Sequence, residues 1–225
     1  MNIVVDSSSL ITLSSSCLIK TLKNLSESKG LVFTIPESVY YESVKRPMNV
    51  KRFELNAVRI RDAVDEGYLK VQKATPNMRE KIIKLSKITE NLCFSEGKQI
   101  RLIDLGEAEA LALLKETESR ALMIDERTTR MLIEEPQNIR DFLEKRHRKK
   151  ITLNQQALTE FREYTKGIRV MRSVELIALA YDNDGFKGEL RRSKQALEAA
   201  LYSAKFAGCA VSFEEIKEYL KNVRN

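Results

Sequence analysis

Four acidic residues that lie far apart in the chain have the positions and the residue types for divalent-metal chemistry. Asp6 follows the apolar run MNIVV, and Asp125 follows ALMI, so each stands at the carboxyl end of a predicted strand. Glu42 lies in the helix predicted after the second strand, and Glu107 lies at the start of an Ala- and Leu-rich helix. Because ligands of α/β sheets bind beyond the carboxyl ends of the strands, we expect these four carboxylates to converge.

Such a cluster indicates metal-assisted hydrolysis. Converging carboxylates repel one another and are costly unless they are protonated or neutralised by a cation. Hard oxygen ligands select Mg²⁺ or Mn²⁺, and these ions orient a water molecule, lower its pKa and stabilise charge at a phosphate. The chain has one histidine, His147, and three widely spaced cysteines. This composition excludes most zinc sites and nearly all histidine-based catalysis.

Each of these acids also has a structural interpretation that involves no metal. Asp6 and Asp125 could each accept a backbone hydrogen bond as the cap of the helix that follows. Glu126 would then favour the second of these helices through its dipole. It is also an accessory candidate for the metal site, or an exposed surface acid. Glu42 taken alone would be an ordinary solvated helix residue, and it gains meaning only as a member of the set.

The third position of the set is contested by neighbouring acids in the segment DLGEAE. Asp104 could be an accessory ligand, or it could be a helix cap whose side chain accepts a backbone N–H. Glu109 follows Glu107 by two residues, about 200° round a helix, so the two cannot both face one pocket. We assign Glu107 to the pocket and keep Asp104 as the accessory candidate.

The elements that must position these acids alternate between strands and helices. Short apolar runs predict the strands, and apolar residues at helical spacing predict the helices between them. The order β-α-β-α-α-β-α-α-β-α implies right-handed crossovers and a mostly parallel sheet. The predicted strands are 1–6, 31–35, 68–71, 121–124 and 167–173, and the predicted helices are 7–25, 36–46, 53–66, 76–92, 104–117, 127–133 and 174–185, with one or two more to follow.

The composition is that of a folded globular protein. Of the 225 residues, 43% are hydrophobic and 32% are charged, which excludes a disordered chain. No apolar run approaches the roughly 18 residues that span a bilayer. The N-terminus, MNIVVDSSS, lacks the basic start of a signal peptide and has an Asp where such a peptide would be apolar. We therefore expect a cytoplasmic protein with no membrane partner.

The net charge of +7 is concentrated in one stretch of the chain. Residues 136–173 carry 10 Lys and Arg against 4 Asp and Glu, whereas the rest is nearly balanced. A local basic excess favours a polyanionic partner, most often nucleic acid. A solvated helical face is the alternative. The candidates for phosphate contacts are Arg146, Arg148, Lys149 and Lys150.

The ordered set of acids resembles the PIN-domain family. That family opens with a strand, an Asp and small hydroxyl residues, as in VVDSSSLI, and has a Glu in its second helix, as in IPESVYYESV. A third acid heads an Ala-rich helix, similar to DLGEAEALALL, and a fourth closes the next strand, as in ALMIDERTTR. The end of the chain also looks like that of the PIN subgroup that carries GEAEAL. The resemblance covers about 1–135 and 167–225, and residues 136–166 depart from it.

The resemblance implies one PIN-like domain over residues 1–225, a three-layer α/β/α fold with a mostly parallel sheet of about five strands, and a basic helical insertion at 136–166. It implies a Mg²⁺- or Mn²⁺-dependent ribonuclease, either a VapC-like toxin or an RNA-processing enzyme. The metal ligands would be Asp6, Glu42, Glu107 and Asp125, with Ser8 bonded to a ligand carboxylate. Expected partners are RNA, a second copy in a homodimer and a cognate antitoxin. The alternatives are a catalytically silent scaffold that binds RNA or a protein, and a structure-specific DNA nuclease.

Overall fold

Five parallel strands form the central sheet of the computed structural model, which describes residues 1–119 and 121–222. The sheet has the strand order β3-β2-β1-β6-β8, and every neighbouring pair is parallel. Strands β1 and β6 are neighbours, with Val5 opposite Met123, so the residues that follow them leave the sheet side by side. The strands are β1 (Asn2–Val5), β2 (Val32–Pro36), β3 (Leu69–Gln72), β4 (Cys93–Ser95), β5 (Lys98–Gln99), β6 (Ala121–Met123), β7 (Thr152–Leu153) and β8 (Arg169–Met171).

Helices cover both faces of this sheet. Side chains alternate along β1, so that Ile3 and Val5 enter one hydrophobic core and Val4 enters the other. Helices α1, α2, α4 and α10–α12 pack on the first core, and α5–α9 pack on the second. The three-layer α/β/α fold is therefore confirmed. The helices are α1 (Ser7–Ser15), α2 (Thr21–Lys29), α3 (Glu37–Tyr40), α4 (Lys51–Asp65), α5 (Pro76–Glu90), α6 (Leu105–Glu116), α7 (Arg127–Glu134), α8 (Ile139–His147), α9 (Gln155–Thr165), α10 (Ser173–Asp182), α11 (Lys194–Ala207) and α12 (Phe213–Asn222).

The prediction of one continuous helix over 7–25 is wrong, because the chain forms two helices there. Helix α1 ends in a turn in which Cys17 has a left-handed conformation, with φ of 58°. The N–H of Leu18 donates to the carbonyl of Leu13 at 2.8 Å, which satisfies a carbonyl at the end of α1. Leucines on both sides of the break are buried in the same core, so the apolar spacing continues across it and hides it.

The second predicted helix is also irregular. After α3, the chain widens into a π-helical turn over Tyr41–Lys45, in which the N–H of Arg46 donates to the carbonyl of Tyr41 at 2.9 Å. A 3₁₀ turn over Pro47–Asn49 follows and leads into α4. Such wide turns are frequent at functional sites, and this one contains Glu42.

A second, smaller sheet was not predicted. Strands β5, β4 and β7 form an antiparallel sheet, with Phe94 opposite both Gln99 and Thr152. Residues 136–166 contain a 3₁₀ turn, α8, β7 and α9, so this segment is attached to the β4–β5 hairpin through β7. It is packed against the second core through Leu143 and Phe161. Strand β8 follows it and pairs with β6 in the central sheet.

None of the helices in the described ranges is long and apolar enough to cross a membrane.

Candidate active site

Asp6 follows β1 and is almost completely buried, with 3% of its surface exposed. Its Oδ2 accepts two hydrogen bonds from Ser8, one from the backbone N–H at 2.9 Å and one from the hydroxyl at 2.6 Å. Its Oδ1 is buried and has no hydrogen-bond partner within the part of the chain that the structure describes. Burial raises the pKa of Asp6 to about 6, although the bonds from Ser8 oppose the shift. Asp6 therefore caps α1 with one oxygen and leaves the other available.

Asp125 follows the neighbouring strand β6, and both of its oxygens bind Ser173. Its Oδ1 accepts from the Ser173 backbone N–H at 2.7 Å, and its Oδ2 accepts from the Ser173 hydroxyl at 2.8 Å. Its own N–H donates to the Ser8 hydroxyl at 3.0 Å. Ser8 thus links the two strand ends. The Asp125 side chain does not cap the helix that follows it, as one interpretation of the sequence predicted. It binds the first residue of α10 instead.

Glu107 and Asp104 bind each other at the start of α6. The Asp104 side chain accepts from the Glu107 backbone N–H at 3.1 Å, and Glu107 Oε2 accepts from the Asp104 backbone N–H at 2.8 Å. Glu107 Oε1 accepts from the Thr129 hydroxyl at 2.6 Å. Burial, together with the negative charges of Asp6 and Asp104, raises the pKa of Glu107 to about 8. Asp104 is therefore a helix cap, and its charge helps to hold the pKa of Glu107 above the ordinary value.

Glu42 approaches this pair from the π-helical turn. Its carboxylate lies against Gly106, where an added Cβ would be 2.8 Å from Glu42 Oε2. Burial and the charge of Asp104 raise the pKa of Glu42, with smaller contributions from Asp6 and Glu109. Gly106 is thus the residue whose missing side chain lets Glu42 reach the start of α6.

Glu109, which was not assigned to the pocket, forms its hydrogen bond with a different element. Its Oε2 accepts from the backbone N–H of Ser38, in α3, at 3.2 Å. Glu107 and Glu109 therefore point to different neighbours, as their spacing on the helix requires.

The carboxyl groups of these acids are suitable ligands for a hard divalent cation, but their side chains are not arranged around a common point in this structure. Asp6, Glu42 and Glu107 all have raised pKa values, and a cation favours the ionised form of each. The buried free Oδ1 of Asp6 is a ready oxygen donor. No group of three or more His, Cys, Asp or Glu side chains in residues 1–119 and 121–222 is already arranged to hold a metal ion. The oxygens of Glu107 and Asp125 are bound to protein donors, so Asp6 and Glu42 fit the role best.

The basic candidates of the segment 136–166 divide into one residue near the acids and three away from them. Arg146 donates to the Thr128 hydroxyl at 3.1 Å and lies 3.9 Å from Glu126 Oε1. It lines a cavity of about 300 Å³ that Glu107 also lines. Lys149 instead pairs with Glu96 at 2.9 Å. The remaining two are Arg148, which ends α8 in a left-handed conformation, and Lys150, whose carbonyl accepts from Ser95.

Glu126 has a structural contact of its own. Its Oε2 accepts from the Thr129 backbone N–H at 2.8 Å, so it caps α7. Sequence reasoning missed three contributors to this site: Thr129, Ser173 and Gly106. Thr129 lies in the run ERTTR directly after Asp125, and Gly106 lies between Asp104 and Glu107. Both could therefore have been identified from their neighbours in the sequence. Ser173 is 48 positions from its partner Asp125, and no local pattern connects them.

A family model described as a PIN domain matches residues 2–137 of this chain. The matched range contains all four candidate acids and ends at the second residue of the basic segment. No curated protein matches the chain significantly, and neither does any solved structure. PIN domains are generally nucleases that act on nucleic acids, and PIN nucleases typically use divalent metals.

Proposed function

This chain belongs to the PIN-domain family, and from that premise we propose that it is a metal-dependent ribonuclease. Asp6, Glu42, Glu107 and Asp125 are its acidic set, and Mg²⁺ or Mn²⁺ is its cofactor. One observation carries the proposal: the buried Oδ1 of Asp6 has no partner among the described residues and lies near acids with raised pKa values. A fold gains nothing from such a group, whereas a cation would use it.

The chain's own residues have separate tasks in this mechanism. Asp6, through the oxygen that has no partner among the described residues, and Glu42 would hold the cation, and Ser8 fixes the other oxygen of Asp6. Glu107 would be ionised beside a bound cation, because a positive charge lowers the pKa of a neighbouring carboxyl group. Asp125 positions the start of α10 through Ser173. A bound divalent ion lowers the pKa of a water molecule and stabilises the charge that develops on the phosphate.

RNA cleavage by the purified protein tests this proposal. The substrates are single-stranded and structured RNA, each with Mn²⁺, Mg²⁺ or EDTA, and the variants are Asp6→Asn and Asp125→Asn. Asp65→Asn is the matched control, because Asp65 is an exposed acid at the end of α4. We expect cleavage that requires metal, is lost in both site variants and is retained in the control. Cleavage that persists in EDTA or in Asp6→Asn would contradict the proposal.

A second function has support from one specific observation. The oxygens of Glu107 and Asp125 are all bound by protein donors, which is also what a structural role would require. A catalytically silent PIN-like scaffold that binds RNA or a protein is therefore the competing proposal. RNA binding without cleavage under any metal condition would favour it.

The wider role of the protein is also a proposal. We propose one PIN-like domain over residues 1–225, with 136–166 as a basic insertion whose residues Arg146, Arg148, Lys149 and Lys150 contact RNA. A toxin would be paired with an antitoxin gene beside its own, whereas an RNA-processing enzyme would not, so the neighbouring genes distinguish the two. Dimerisation is tested by the mass of the protein in solution.

A further inference from the structure

A cleft adjoins the acids on the side of the basic segment. One wall is the connection from β5 to α6, with Ile100, Arg101 and Leu102, and the other is the end of α8, with Arg146 and His147. The cleft has a volume of about 300 Å³, and Glu107 contributes to its lining. Its position therefore joins the acidic set to the segment that lies outside the matched PIN range.

The lining of this cleft combines two kinds of surface. Ile100 and Leu102 supply an apolar wall, Arg101 and Arg146 supply guanidinium groups, and His147 adds a polar ring. Arg101 is held in place by a hydrogen bond from its Nε to the carbonyl of Ile103 at 3.1 Å. A nucleotide presents the complementary pair, a flat apolar base and a charged phosphate, and Arg binds phosphate in a planar, two-bond geometry.

We propose that this cleft holds the nucleotide next to the phosphate that is cut, so that the basic segment completes the substrate site. The position of this nucleotide beside a cleaved phosphate rests on the proposed nuclease function, whereas nucleotide binding in the cleft does not. The volume suits one nucleotide-sized group, because small-molecule sites begin at roughly 300 Å³.

Three acids line the same cleft, and each of them has a partner within the protein. Glu126 lies 3.9 Å from Arg146, so the two charges partly offset each other. Asp104 and Glu107 also line the cleft, and each side chain accepts a hydrogen bond from the backbone N–H of the other residue. Arg146 donates only to a threonine hydroxyl among the described residues, and its side chain is 55% exposed, so a phosphate can replace that bond.

Binding of fluorescein-labelled oligouridylate tests the cleft without any cleavage. Fluorescence anisotropy is measured in EDTA on the Asp6→Asn protein, alone and with Arg101→Ala, Arg146→Ala or Arg140→Ala. Arg140 is the matched control, because it lies on the same helix, is similarly exposed and forms an ion pair with Asp141, but does not line the cleft. We expect each cleft variant to weaken binding by about tenfold and to reduce the salt slope by about 0.7, as one lost phosphate contact does.

The outcomes separate this proposal from the nuclease proposal. Equal losses from Arg140→Ala and Arg146→Ala would overturn the cleft, because the segment would then act as an unspecific positive surface. Selective loss from the two cleft variants supports it, even if the wild-type protein cuts nothing. If the wild type cuts RNA and neither cleft variant changes binding or cleavage, the cleft is wrong and the nuclease stands. The melting temperature of each variant, measured beside that of the parent protein, checks that a loss in Arg146→Ala does not come from misfolding.

Discussion

Replacement of Glu107 by glutamine is expected to stabilise the metal-free protein at neutral pH and to abolish cleavage. Glu107 is 7% exposed, and burial beside the charges of Asp6 and Asp104 raises its pKa to about 8. Glutamine has the same shape and can keep a hydrogen bond with each partner, with the direction of the Thr129 bond reversed. Its carbonyl oxygen accepts from the Asp104 N–H, and its amide group donates to the Thr129 hydroxyl. The substitution thus removes the ionisation and little else.

The size of the stability difference follows from the pKa of Glu107 in the folded and unfolded states. The unfolded chain releases the Glu107 proton above its ordinary pKa of 4.5, whereas the folded protein keeps it up to about pH 8. Because the folded state binds more protons in this window, the free energy of unfolding of the wild type falls as the pH rises through it. Each pH unit between the two pKa values changes the free energy of unfolding by about 1.4 kcal/mol. The variant should therefore exceed the wild type by roughly 3 kcal/mol at pH 7, and by less than about 1 kcal/mol at pH 5.

Urea denaturation in EDTA at these two pH values measures the difference. Glu116→Gln, on the same helix, is the control with the opposite sign. The hydrogen bond from Lys81 lowers the pKa of Glu116, so its stabilisation is present above its ordinary pKa and is lost as the pH falls. That variant should be less stable than the wild type at pH 7. A Glu107→Gln effect that is equal at pH 5 and pH 7, or destabilising at pH 7, would refute the reasoning.

Two further predictions concern residues that support the acids. Gly106→Ala should leave the melting temperature close to that of the wild type, since the better helix propensity of alanine is opposed by the close approach of its Cβ to the Glu42 carboxylate. It should also slow RNA cleavage by at least about tenfold, because its Cβ displaces the Glu42 carboxylate; wild-type rates would show that the position of Glu42 is unimportant. Ser173→Ala removes the hydroxyl bond to the buried Asp125 and should lower the free energy of unfolding by about 1–3 kcal/mol. A urea midpoint unchanged from the wild type would contradict this.

The fold could be predicted from local patterns because its sheet is built from short, continuous apolar strands. The runs IVV and ALMI, which directly precede Asp6 and Asp125, have no polar interruption, as parallel strands buried on both faces require. Chain order then placed helices between the strands and implied parallel pairing. The acids could be located for the same reason, since a residue that follows a parallel strand lies at its carboxyl end.

The remaining features depend on contacts between distant segments. Strands β5 and β7 contain two residues each, too few to show any periodicity, and they exist because β4 lies between them. The break between α1 and α2 leaves the apolar spacing intact on both sides. Similarly, the π-helical turn that carries Glu42 has an ordinary helical sequence. A pattern in one segment cannot reveal what another segment imposes on it.

The hydrogen bonds of the four acids give them unequal roles that their common motif does not show. Asp6 has a buried oxygen with no partner in the described residues, whereas both oxygens of Asp125 bind Ser173, at the start of α10. The residue before Ser173, Arg172, forms ion pairs with Glu175 and Glu215 and so connects α10 to α12. Asp125 therefore belongs to a network that fixes the C-terminal helices on the sheet. For this reason, loss of activity in Asp125→Asn cannot by itself identify a metal ligand, whereas the same loss in Asp6→Asn points to the free oxygen.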